Sequence, residues 1–169
     1  MSQPQQMWEI LQKAYQIEVD GYTFYSMTAD AAQKPAVKEL FEKLAHDEVE
    51  HQTYLKGVMK NVKEQGPAAF AVQAKSVDLG QFSQAVFTDR FRQQAQGAAF
   101  EVGVLSVGMT LETNAINHFR AASESSGDQE IKAFYRFLAE WERQHFEALQ
   151  NLYNQVRQDF WGGAGFAAF

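Results

Sequence analysis

Two pairs of residues of the same kind stand at the same spacing in this chain, Glu48 with His51 and Glu142 with His145. On a helix, residues three apart point within about 60° of each other and are offset by about 4.5 Å along the axis, so each pair can approach one metal ion from one face. Carboxylate oxygen and imidazole nitrogen together suit iron, manganese or zinc, whereas a cage of oxygens alone suits calcium or magnesium. A single Glu-x-x-His arises easily by chance. Two copies, each preceded at the same distance by another acid, Glu18 or Glu112, are much harder to obtain by accident.

These positions belong to an internal repeat. A shift of 94 positions superimposes Glu18 on Glu112, Glu48 on Glu142 and His51 on His145, and with them Leu11 on Leu105, Lys38 on Lys132, Leu44 on Leu138 and Leu55 on Leu149. So long a period in only two copies implies one pseudo-symmetric domain of two hairpins, not a solenoid. Apolar residues spaced alternately four and three apart surround the pairs: Val37, Phe41, Leu44, Leu55 and Val58, then Ile131, Tyr135, Leu138, Leu149 and Leu152. That is the seam of a helix packed in a bundle. The partner elements read Leu11, Ala14, Glu18, Gly21, Tyr25 and Leu105, Gly108, Glu112, Ala115, Phe119, so every element carries an acid in its seam. If these were structural polar residues satisfied by ion pairs, the seams would also hold cations, and they contain no Lys or Arg. Burying unpaired charge costs several kcal/mol each; two divalent ions would supply the four missing positive charges.

The elements that must position these residues are helices. Only three prolines interrupt a chain rich in Ala, Gln, Glu and Leu, whose side chains lose little freedom on a helix. Helices are expected over about 6–31, 35–64, 88–123 and 128–160, in an all-α, four-helix bundle of two pseudo-symmetric antiparallel hairpins joined by a long crossover. The whole chain, 1–169, is one domain on this reading: hairpins over about 6–64 and 88–160, a crossover over about 65–87, and an aromatic, glycine-rich tail over 161–169. Pro35 fits a first helical turn, Gly66-Pro67 closes the second helix, and Ser126 with Gln129 has the spacing of a capping box.

Composition removes several function classes. The net charge is −6 with no basic run, so no nucleic-acid partner is expected. Zero cysteines exclude disulfides, thiolate metal sites and iron–sulfur clusters from these residues. With neither a signal-peptide pattern nor about 18 consecutive apolar residues, a cytoplasmic location is the expectation.

The motifs resemble those of a known family. Glu18 with Tyr25 is similar to the Glu-x6-Tyr of rubrerythrins and bacterioferritins; residues 40–51, Leu-Phe-Glu-Lys-Leu-Ala-His-Asp-Glu-Val-Glu-His, resemble the rubrerythrin version, and residues 134–145 repeat it more loosely. The resemblance implies a ferritin-like fold binding two iron ions, with manganese or zinc as alternatives. It further implies that Glu48 and Glu142 bridge the ions, that Glu18 and Glu112 are terminal ligands, and that His51 and His145 bind one ion each. Tyr25 then offers a catalytic phenol beside the site. The implied activity is that of an oxidoreductase reacting with hydrogen peroxide or oxygen, in a homodimer; the alternative is iron oxidation and storage, or a non-catalytic metal-binding subunit. Rubrerythrins proper hold a further iron on four cysteines in a rubredoxin domain, so electrons here would come from an external donor such as a rubredoxin-like protein. They also commonly carry a glutamate at the position of Ala115, and the second half has Phe119 in place of the tyrosine. Val49 stands where bacterioferritin has its haem-binding methionine, so no haem is implied.

The remaining candidates have plainer readings. His46 lies about 140° around its helix from His51 and is expected at the surface, and His118 falls off the seam and is discounted likewise. Glu101 is eleven residues before Glu112, about 16 Å along a helix, which makes it an end-of-bundle polar residue and not a ligand. Ala14, Gly21, Gly108 and Ala115 allow either close helix packing or a small cavity for oxygen or peroxide. The tail is expected to fold back on its own subunit or a second copy.

Overall fold

The structure, a computed structural model, describes residues 3–66 and 99–163. Among the described residues there are four helices and no strand: α1 (Gln3–Ala31), α2 (Pro35–Gln65), α3 (Ala99–Ser125) and α4 (Gln129–Gly163). The crossover beyond Gly66, the third helix's expected start at about 88, and the tail from residue 164 lie outside the described residues. α1 packs along α2 and α3 along α4, each pair joined by a short turn, and α1 also meets α3. Lys34, in the turn that follows the C-terminal end of α1, pairs with Glu101 near the start of α3, so these two helices run antiparallel.

The helix boundaries have local causes. Lys34 is extended, its carbonyl accepts hydrogen bonds from Val37 and Lys38, and Pro35 opens α2 without needing a donor. Gly66 closes α2 with φ 81°, a conformation that a side chain would strain, and its N–H donates to the Val62 carbonyl. At the other turn the capping differs from the expected Ser126–Gln129 box. Asp128 Oδ1 accepts from the N–H groups of Glu130 at 2.8 Å and Ile131 at 3.1 Å. Because α4 starts at Gln129, Asp128 occupies the capping position, and Ser126 lies too early to reach the free amides. α4 continues through Trp161 to Gly163, past the expected end at about 160, so its first two tail glycines do not break it.

The apolar seam residues are buried as their spacing predicts, with Val37, Phe41, Leu44, Leu55, Leu105, Leu138 and Leu149 at 0% exposure. They divide into two clusters. Met7, Leu11, Leu55, Phe119, Phe134 and Leu138 gather toward one end of the bundle, and Tyr25, Val37, Phe41, Leu44, Leu105 and Leu152 toward the other. Full burial of a Leu or Phe side chain is worth about 1.5–3 kcal/mol, so each layer holds its share of the bundle together. Between them lies the band of acids and histidines. No helix among the described residues is long and apolar enough to cross a membrane.

Candidate metal centre

Each helix delivers one glutamate to this band. Glu18, Glu48, Glu112 and Glu142 are 1–3% exposed, and His51 and His145 are buried with them. Glu48, His51, Glu142 and His145 each offer a ligand atom, and these atoms all lie within 4.8 Å of one another. Glu48 sits centrally: its Oε2 is 3.3 Å from His51 Nδ1 and its Oε1 is 3.4 Å from His145 Nδ1. Glu18 and Glu112 flank the four, with Glu18 Oε2 3.0 Å from His51 Nδ1 and Glu112 Oε1 3.6 Å from His145 Nδ1. All six expected ligands thus meet in one place.

Electrostatics show what the cluster lacks. No Lys or Arg among the described residues pairs with the four glutamates. Burial pushes the Glu18 carboxyl up to about 8, with His51 opposing the rise and the Glu48 charge adding to it. Glu142 is raised well above the ordinary carboxylate value by burial and by the charges of Glu18, Glu112 and Glu48. Burial alone would lower the two imidazoles and raise Glu48. Instead Glu18 and Glu48 raise His51 to about 9, Asp47, Glu112 and Glu48 raise His145, and the two imidazoles hold Glu48 below its usual range. Protons therefore take the part that cations would play.

The donor set fits a metal by a second observation. Glu18 Oε1 and Glu142 Oε1 are buried without a hydrogen-bond partner among the described residues, a costly state for an acceptor that faces no ion. At Gly21 an added Cβ would come 3.1 Å from Glu48 Cδ, so the missing side chain is what lets the Glu48 carboxylate lie against α1. The hydroxyl of Tyr25, fully buried, donates to the Glu112 carboxylate. Burial, together with the Glu112 and Glu48 charges, raises Tyr25 well above the ordinary phenol value and keeps it a donor.

Two neighbours escaped the sequence reading. His145 Nε2 lies 3.8 Å from Asp47 Oδ2, and the Asp47 carboxylate, which burial alone would raise, is held below its ordinary value by His145 and then Lys43. On the other side the ring of His51 stacks on Trp141, with centroids 4.2 Å apart and planes 6° apart. Asp47 and Trp141 are counterparts under the 94-residue shift, each preceding its bridging-type glutamate. That correspondence was available in the sequence, but nothing in it said that either reaches across to the other hairpin's histidine.

The remaining candidates fall as follows. His46 is exposed beside Glu50, as expected. Glu101 is 4% exposed and its Oε1 pairs with Lys34 Nζ at 3.1 Å at the bundle end. His118 departs from the surface position expected of it: it is half-buried and lines a cavity of about 520 Å³ together with Gly21 and Ala115. Gly108 serves close packing, because an added Cβ there would come 3.1 Å from Leu149 and 3.4 Å from the Tyr25 ring.

Among proteins of known type, the family model described as Rubrerythrin matches residues 9–153, more than half of the chain. No curated protein and no solved structure matches.

Proposed function

The chain belongs to the rubrerythrin family, and from that premise we propose that it is a dimetal oxidoreductase that holds two iron ions on Glu18, Glu48, His51, Glu112, Glu142 and His145 and reduces hydrogen peroxide or oxygen. The observation that carries this reading is the buried meeting of two Glu-x-x-His pairs with two further glutamates and, among the described residues, no Lys or Arg beside them. Iron bound there would supply two one-electron couples, which is what H2O2 + 2e− + 2H+ → 2H2O consumes. The protein's own part is positioning and proton control. Asp47 orients the His145 ring and Trp141 the His51 ring, while Tyr25 keeps its proton and fixes Glu112 by donating to it. The apolar layers close the bundle above and below the carboxylates. With no cysteine in these 169 residues, the electrons come from an external one-electron donor such as a rubredoxin-like protein.

Protein loaded anaerobically with ferrous iron tests the proposal. A single equivalent of hydrogen peroxide should oxidise it within one stopped-flow trace, faster than oxygen does, and sustained consumption should require an added donor. Continuous consumption without a donor would identify dismutation, and inertness to both oxidants would move the assignment to metal storage or a non-catalytic role.

A further inference from the structure

The six candidate ligands are buried, so an ion needs a way in. Above and below them stand the apolar layers. Between α2 and α4 the indole of Trp141 lies flat on His51, and the rings of Tyr54 and Phe137 pack on Trp141 with centroids 5.0 and 5.1 Å from it. The side between α1 and α3 differs, because it holds the cavity of about 520 Å³. Glu48, Glu112 and Glu142 line its inner end. Beside them stand Gly21, which has no side chain, and Ala115, which is buried and has only a methyl group.

The outer part of the cavity is polar and open. Asp20, Asn114, Asn117 and Lys13 line it and are exposed. The first three carry carboxylate or amide oxygens, the donors that hard divalent cations accept. Asn117 is five residues from Glu112, about 7.5 Å along α3, so oxygens run from the surface to the buried carboxylates. A divalent ion with six waters needs about 200 Å³, at roughly 30 Å³ per water, and the cavity has that room. Charge points the same way. Asp20 and Lys13 balance at the outside, seven residues or about 10 Å apart, while the inner end has three glutamates with no Lys or Arg paired to them among the described residues. The cavity reaches Glu112, beside His145, whereas Glu18, beside His51, lies off it.

We propose that this cavity is the passage through which hydrated divalent cations enter and leave the metal centre, exchanging water for the oxygens of Asp20, Asn114 and Asn117 before they reach Glu112 and Glu48. The small residues at 21 and 115 keep it open, and Lys13 moderates the attraction at its outer end. The passage rests on the metal-binding part of the reading above and not on the oxidative part. A residue of a passage alters the barrier and not its two ends, so its obstruction slows uptake and release by the same factor and leaves the affinity where it was.

The test uses the full metal-free chain and cobaltous ion, whose absorbance reports its binding. Uptake is followed by stopped flow, release by mixing loaded protein with a chelator, and Kd by equilibrium titration. Ala115→Leu should slow uptake and release at least tenfold while Kd stays within about twofold. Asn114→Trp, at an exposed position, repeats the obstruction where the fold is not at stake. Asn117→Lys should slow uptake about fivefold at low salt and hardly at all at 1 M, where the screening length is about 3 Å. Gln150→Lys makes the same charge change at an exposed position of α4 and should leave the rates as they are. Rates unaffected by both obstructing variants, or a shifted Kd with an unchanged uptake rate, overturn the passage and leave the metal centre standing. Slowing by Asn117→Lys that is absent, or matched by Gln150→Lys, likewise overturns it as a route for cations. Failure of the parent chain to bind cobalt at equilibrium overturns the metal centre, and the passage with it.

Discussion

At the scale of single residues, Glu48 is the position on which most depends. Its two oxygens face the two histidines from opposite sides, at 3.3 and 3.4 Å, so its loss removes a donor from both metal positions at once. Glu48→Ala should therefore abolish binding of at least one ion, read by metal analysis of reconstituted protein; a variant that retains two ions per chain would show that Glu48 is not a shared ligand. The six candidate ligands were legible because they sit in the apolar period and repeat at a fixed shift. Asp47, Trp141 and His118 were not legible in their roles. What each does depends on a partner on another hairpin, and the period of one helix carries no information about which side chain of a neighbouring helix faces it.

At the scale of elements, the hydrophobic spacing located the described helices to within a few residues at their visible ends, while their caps followed local chemistry. Ser126 and Gln129 had the right spacing but the wrong frame, since a side-chain acceptor works only at the residue immediately before the helix, which is Asp128. Contact between elements also sets the site. α1 can bring its backbone against the Glu48 carboxylate only because residue 21 has no side chain. Gly21→Ala should gain about 1 kcal/mol of helix propensity but must move the Glu48 carboxylate by a few tenths of an ångström to make room. The metal-free variant should then melt within a few degrees of the parent while its metal affinity falls, both measurable on one preparation. Undiminished affinity would show that the carboxylate has room to yield.

At the scale of the whole molecule, the unbalanced acids make stability depend on pH and metal together. In the metal-free fold Glu18, Glu142, His51 and His145 hold protons more tightly than the unfolded chain does. The stability they confer is complete below their unfolded values, 4.5 for the carboxylates and 6.5 for the histidines, and is lost as pH rises through about 8 for Glu18 and about 9 for His51. Glu48, lowered in the fold, works in the opposite sense and contributes above 4.5. Metal-free thermal melts should thus be highest near about pH 5 and decline toward about pH 9, whereas the stabilisation gained on adding metal should grow over the same range as the ligands lose their protons. A flat metal-free profile would contradict a shared carboxylate site. One of the pairs of counterparts at which the two-fold plan of the chain fails is Asp47 and Trp141, which present a carboxylate to one histidine and an indole face to the other. A carboxylate facing the far nitrogen of an imidazole favours it as a ligand, so the two seats of this pseudo-symmetric centre are unequal. Ions should enter in order, first beside His145 and then beside His51, giving a biphasic binding isotherm and, at one equivalent, a half-filled protein able to accept a different metal second.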